Sequence, residues 1–206
     1  MMKWVLALTF VVGYAFAQES LSESLANSTS SSNSVAPATN TSRESLSDYN
    51  TNLKLRQDRK VGAGLGVGGP LGALGALVEL NVEDTNAALI GFGTGSGYQT
   101  VHLGWKRSFE GEYFTPYTSA GYAHWWNAGS RSDVNHSALL KNFLTDSQRE
   151  KNSFGLDLIT GAVGMQYNQL AGDLAGSSFY LEVGGLLSVE NPKLMPTGSV
   201  GALYYF

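Results

Sequence analysis

The chain contains no cysteine, so disulfides, thiolate metal centres and the acylated cysteine of a bacterial lipoprotein are excluded. It also lacks an apolar run long enough for a membrane-spanning helix, which needs about 20 residues. The longest candidate, from Trp4 to Phe16, falls short. Charged residues are few, 15% of 206 positions, where a soluble domain carries about 25%. The formal net charge of −4 offers no basic surface for nucleic acid. His102, His124 and His136 share no ligand spacing, and no metal, cofactor or catalytic residue is expected.

What is abundant is glycine, 25 residues, together with 4 Trp, 10 Tyr and 9 Phe. Three segments differ in character. Lys3, the apolar stretch behind it and the exit Ala15-Phe16-Ala17 read as a secretory signal peptide over 1–17. Residues 18–60 are dominated by Ser, Asn, Thr and Glu, with little to offset the entropy of ordering, and read as a disordered tether closed by Arg56, Arg59 and Lys60. From Val61 onward the composition changes abruptly.

Val61-Gly62-Ala63-Gly64-Leu65-Gly66-Val67-Gly68 alternates an apolar side chain with glycine, the period of a strand with one greasy and one bare face. The bare face lets neighbouring groups approach closely, and with no lysine behind it the segment is not a phosphate loop. After Gly69-Pro70-Leu71-Gly72 the alternation resumes, with Leu74, Ala76, Val78, Leu80 and Val82 opposite Gly75, Leu77, Glu79, Asn81 and Glu83. Six further strands are predicted at 87–93, 98–107, 113–126, 154–168, 178–189 and 197–206, each bounded by turn residues. The fold class is therefore all-β: eight antiparallel strands over 61–206, arranged as an up-and-down transmembrane barrel behind the disordered extension.

A closed sheet satisfies every backbone amide within lipid. Counting connections from the first strand, the long one, 127–153, is the fifth, and an even barrel puts odd connections on the far side from its termini. Trp105, Phe109, Tyr113, Phe114, Tyr167, Phe179, Tyr204 and Phe206 gather near even connections or the C-terminus and form one expected interfacial girdle. Tyr98, Trp125, Trp126 and Phe154 form the expected opposite one. In the sixth strand Asp157 and Tyr167 conflict with an outward set of Leu156, Leu158, Val163 and Met165, so a bulge near Gly161 is expected to switch the face.

The last eight residues carry a family resemblance. Ser199, Gly201, Tyr204 and terminal Phe206 resemble the C-terminal β-signal of bacterial outer-membrane proteins, which implies recognition by the barrel assembly machinery. Size, strand layout and Phe114-Thr115-Pro116-Tyr117 followed by Ala120-Gly121-Tyr122 are similar to the OmpA-like and opacity-type small barrels, barrel domain only, with no peptidoglycan-binding domain behind it. The resemblance implies an outer-membrane address with lipid and lipopolysaccharide as neighbours. The tether and C-terminus would be periplasmic, the long loop extracellular and open to a partner.

Inward-facing polar candidates are Glu79, Glu83, His102, Lys106 and Glu182, with Lys106 expected to pair with Glu79 or Glu182. In the long loop Leu139, Leu140, Phe143 and Leu144 stand at helical spacing and are expected to form a short helix covering the barrel mouth. An eight-stranded interior is filled by side chains, so a structural, envelope-integrity or surface-recognition role is favoured over a narrow solute channel. A lipid A-modifying enzyme using Asp133, His136 and Ser137 is weaker still, because adjacent loop residues lack an oriented base and an oxyanion donor. A soluble lipocalin-like binder would require the greasy and polar faces exchanged.

Overall fold

The computed structural model describes residues 49–128, 140, 143–151 and 153–206. The expected signal peptide, the tether up to residue 48 and the loop residues Asp133, His136, Ser137 and Leu139 lie outside them. Among the described residues eight strands form a closed antiparallel barrel in chain order: β1 (Val61–Gly68), β2 (Leu74–Asn81), β3 (Asn86–Gly95), β4 (Tyr98–Ser108), β5 (Phe114–Asn127), β6 (Gly155–Asn168), β7 (Ser177–Ser188) and β8 (Leu194–Tyr205). β1 meets β8 from Gly62↔Tyr205 to Gly68↔Ser199, which removes every sheet edge.

Alternation decides which face looks where. Leu65, Val67, Leu74, Ile90, Phe92, Leu103, Val163, Leu181, Val183 and Val200 are exposed on the outer wall, while Glu79, His102, Lys106, Thr160, Gln166 and Ser199 are buried inside. β6 pairs without interruption on both sides, Phe114↔Tyr167 through Trp126↔Gly155 and Leu158↔Ser188 through Asn168↔Ser178. The expected bulge near Gly161 is therefore replaced by one phase. Leu156 and Leu158 point inward at 1% and 0% exposure, and Asp157 shares the outer face with Val163, Met165 and Tyr167.

The glycines of β1 make room for aromatic rings: a Cβ on Gly62 would sit 2.7 Å from Tyr205 Cε1. Between β1 and β2 the 3-10 turn Gly69–Leu71 uses positive φ at Gly68, Gly69 and Gly72 to fold back into the lumen. Leu71 is buried there, and a Cβ on Gly75 would lie 2.8 Å from its own Cβ.

Residues 49–60 are not a tether. Asn52–Asp58 form a helix, α1, capped by Thr51, whose side chain accepts from Lys54 N–H at 3.3 Å. Asn52, Leu55 and Arg56 fall on one face and are buried. The segment's polar composition conceals this because its ordering energy comes from tertiary partners. A second short helix, α2 (Asp146–Lys151), starts at a reciprocal capping box: Thr145 Oγ1 accepts from Gln148 N–H at 3.4 Å, and Gln148 Oε1 accepts from Thr145 N–H at 3.0 Å.

One aromatic girdle stands as expected in position: Trp105, Phe109, Tyr113, Phe114, Phe179, Tyr204 and Phe206 are exposed around the N-terminal mouth, with Tyr167 half-buried between Tyr113 and Phe114. The opposite one is corrected. Tyr98, Trp125 and Phe154 are buried inside the barrel, and only Trp126 of that group faces outward. The far mouth needs apolar filling, and inward-phase aromatics supply it.

Candidate functional site

The lumen has two chambers of different chemistry. At the N-terminal mouth, β2 and β4 present Glu79 and Lys106 toward each other, and Lys106 Nζ donates to Glu79 Oε2 at 2.8 Å. Arg56, carried in by α1, donates to Glu79 Oε1, and Tyr205 hydroxyl donates to the same oxygen at 2.9 Å. Lys106 also reaches Gln166 and lies 4.4 Å from the centre of the Tyr117 ring, a cation–π contact. Gln166 Nε2 donates to Asn168 Oδ1 at 3.0 Å and to Tyr205 hydroxyl at 2.9 Å, and Ser178 hydroxyl donates to Asn168 Oδ1 at 2.7 Å. A buried charge keeps its ionised form only with such partners.

Glu182 stands apart from the Lys106 pair. It accepts from Tyr117 hydroxyl at 3.0 Å and from Ser199 hydroxyl at 2.6 Å. His102 is buried with its ring over the bare faces of Gly104 and Gly121, its Nε2 3.4 Å from Thr160 hydroxyl. Glu83, expected in this network, is outside it. β2 ends at Asn81, the strand phase stops there, and Glu83 accepts from Asn86 Nδ2 at 2.7 Å on an exposed turn.

α1 corks this mouth through every connection on its side. Arg56 Nε donates to Asp84 O at 3.0 Å, Asn52 exchanges hydrogen bonds with Phe109 O and Gly111 N–H, and Tyr49 N–H donates to Leu170 O at 2.9 Å. Arg59 donates to Ala175 O at 2.6 Å and Tyr205 O at 2.8 Å, fastening the end of β8. From the sequence alone Arg56 and Arg59 belong to the tether. Their spacing from Leu55 and Asn52 was the available signal.

The far mouth is filled by hydrocarbon and rings. Leu140, Phe143 and Leu144 from the long connection pack on Tyr98, Trp125, Phe154, Leu156, Leu158 and Leu186. Leu144 N–H donates to Leu140 O at 2.9 Å, the helical spacing expected of this segment. Tyr98 stacks on Trp125 at 4.7 Å, and Trp125 Nε1 donates to Pro70 O at 3.1 Å, tying the inward 3-10 turn to the plug. Between the chambers lies a cavity of about 40 Å³, lined by residues that include Leu71, His102, Lys106, Thr160, Tyr180 and Glu182.

The residues expected to form a β-signal occupy definite places. Ser199 is inward on Glu182, Gly201 lies beneath the Tyr180 ring, and Tyr204 is outward against Phe206 at 5.4 Å. Phe206 N–H donates to Val61 O at 2.8 Å, joining the C-terminus to the start of β1.

No protein-family profile matches the chain. No curated protein matches it either. Among solved structures it is similar to the N-terminal β-barrel domain of Pseudomonas aeruginosa OprF, at 15% identity and a TM-score of 0.43, covering 76% of this chain and 99% of that one.

Proposed function

We propose that the protein is an integral outer-membrane barrel with a structural, envelope-integrity or surface-recognition role, its lumen sealed at both ends. The observation that carries this reading is the arrangement of its two faces: large apolar side chains cover most of the outer wall, while Glu79, Lys106 and Glu182 lie inside a closed sheet and the outward Arg107 and Asp157 stand near strand ends. In water such a wall would leave a continuous apolar surface far beyond what a monomeric soluble protein tolerates. In a bilayer it is the face that the solvent requires. A ring of exposed aromatics at the N-terminal mouth fits the headgroup level.

Sealing argues against the narrow-channel reading, because a solute entering from the far mouth meets Leu140, Phe143 and Trp125, and one entering from the N-terminal mouth meets α1. Lipids and lipopolysaccharide are then the surrounding partners, the assembly machinery reads the end of β8, and the connection 127–153 faces outside the cell.

Membrane fractionation with protease treatment of whole cells tests address and topology together. The protein is expected in the outer-membrane fraction with cleavage confined to 127–153. In planar bilayers it is expected to give no steady conductance. Recovery of the protein from the soluble fraction without detergent overturns the membrane assignment, and a stable open conductance overturns the sealed lumen.

A further inference from the structure

The seam that closes the barrel joins the first described strand to the last, β1 to β8. Every other neighbouring pair is linked by a single connection, so this seam alone bears the closure of the whole sheet. Its ladder is short, from Gly62↔Tyr205 to Gly68↔Ser199, where β5 and β6 pair from Phe114↔Tyr167 to Trp126↔Gly155. β1 holds β2 by a short ladder as well, Val61↔Leu80 to Gly66↔Gly75. The inward face of β1 is bare. Rings of Tyr205 and Tyr180 lie over Gly62 and Gly66, and a Cβ on Gly66 would stand 2.3 Å from the Tyr180 hydroxyl. At these positions β1 adds no side chain of its own to the packed interior.

Arg59, between α1 and β1, reaches across that seam. Its Nη1 donates to Tyr205 O at 2.8 Å, at the end of β8, and to Ala175 O at 2.6 Å in the connection before β7. The guanidinium also lies 5.7 Å from the centre of the Tyr204 ring, and its Nε donates to Tyr49 hydroxyl at 3.1 Å. On the other side of β1 the same two residues are tied to β2: Asn81 N–H donates to Lys60 O at 2.8 Å, and Asn81 Nδ2 to Arg59 O at 2.9 Å. The start of β1 is therefore strapped between its two neighbours. Deeper in, Arg56 repeats the bridge, from Glu79 on β2 to the Tyr205 hydroxyl at 3.4 Å. A strand edge freed at this end would offer unpaired N–H and C=O groups to any other strand.

We propose that α1 and Arg59 form a clasp that keeps the N-terminal end of the β1–β8 seam shut and withholds those two edges from a strand of another chain. The partner that such an edge takes is an extended segment, held by main-chain hydrogen bonds along the ladder. Opening is confined to the mouth, where freed main-chain groups meet water, while deeper pairs have no partner outside the sheet. The clasp acts on the closed sheet itself, whatever solvent surrounds the wall.

Amide exchange of the full chain folded in detergent micelles, read residue by residue by NMR, tests the clasp. In Arg59→Ala the seam amides are expected to exchange about tenfold to hundredfold faster, the effect of one lost charge-assisted hydrogen bond. The rise should be greatest at Gly62 and Tyr205 and fade toward Gly68 and Ser199, with the β5–β6 ladder at its wild-type rate. Arg59→Lys keeps the charge and loses the planar fork, so a smaller rise at the same residues is expected. A synthetic peptide of sequence Ser199–Phe206 supplies the foreign strand: Arg59→Ala is expected to retain it through a cold-detergent gel, and the wild type to release it. An equal rise in every strand makes Arg59 a general stabiliser and overturns the clasp, as does an unchanged seam. Should Arg59→Ala not fold, Arg59→Lys carries the same comparison, and an unmoved seam there overturns the clasp. Peptide held equally by wild type and variant, or by neither, overturns the withholding of the edges.

Discussion

At the N-terminal mouth the lumen is filled by Arg56, Glu79, Lys106, Gln166 and Tyr205 in a continuous hydrogen-bonded network, whereas at the far mouth it is filled by Tyr98, Trp125, Leu140, Phe143 and Leu158 in van der Waals contact. Both plugs bring side chains from outside the strands, α1 below and the long connection above. The difference lies in how failure spreads. A charge network loses a full desolvation penalty when one partner goes, because the remaining ions stay buried. An apolar plug loses contacts gradually and can peel away from the barrel while the sheet stays closed.

Breaking the polar end at its centre should have the largest effect. Glu79→Ala strands Arg56 and Lys106 together in the lumen, and a loss of about 3–5 kcal/mol is expected. The check is the temperature at which the folded, fast-migrating gel band disappears. Lys106→Met removes one cation and leaves Glu79 with Arg56 and Tyr205, so a smaller loss of about 1–3 kcal/mol is expected. If both variants melt with the wild type, the two ends do not differ in the manner argued.

At the far end Phe143→Ala removes a ring packed edge-on against Trp125 at 6.4 Å. In a sealed core that truncation costs about 3–5 kcal/mol, but here the plug can detach. The expected outcome is faster protease cleavage within 127–153 on whole cells, with the gel transition nearly unmoved. A transition that falls as far as in Glu79→Ala would show that the apolar plug carries barrel stability too. A narrower test of close approach is Gly62→Val, which meets the Tyr205 ring and should cost about 1–3 kcal/mol on the same gel measurement. The smallest effect belongs to Thr145→Ala, which removes one half of the α2 capping box and should cost about 0.5–2 kcal/mol of local helix stability. Amide exchange within residues 146–151 reads it.

Much of the barrel is legible in the chain. Val61 to Gly68 and Leu74 to Asn81 announce their faces by strict alternation, and the observed strands keep that phase. Where the observed faces differ from those expected, both faces are apolar. Leu156 and Leu158 look as lipid-facing as Val163, because an apolar side chain suits either a greasy plug or a bilayer and period two does not say which. Tyr98 and Trp125 turn inward for the same reason. Glu83 differs for another reason: the ladder ends at Asn81, and beyond it nothing holds the phase. The capping box Thr145-Asp146-Ser147-Gln148 is also written in the sequence, just downstream of the apolar spacing of Leu140, Phe143 and Leu144.

By itself the sequence determined the closed sheet, its direction of apolar facing and the presence of Glu79, His102, Lys106 and Glu182 within it, since alternation, turn residues and composition are properties of neighbours along the chain. Tertiary structure alone decided that Arg56 enters from outside to share Glu79 with Lys106 and Tyr205, that Glu182 instead takes Tyr117 and Ser199, and that Tyr122, His124 and Asp157 meet on the outer wall. Those contacts join residues up to 126 positions apart. Register and closure set them, and no local pattern encodes which distant side chains a given strand will face.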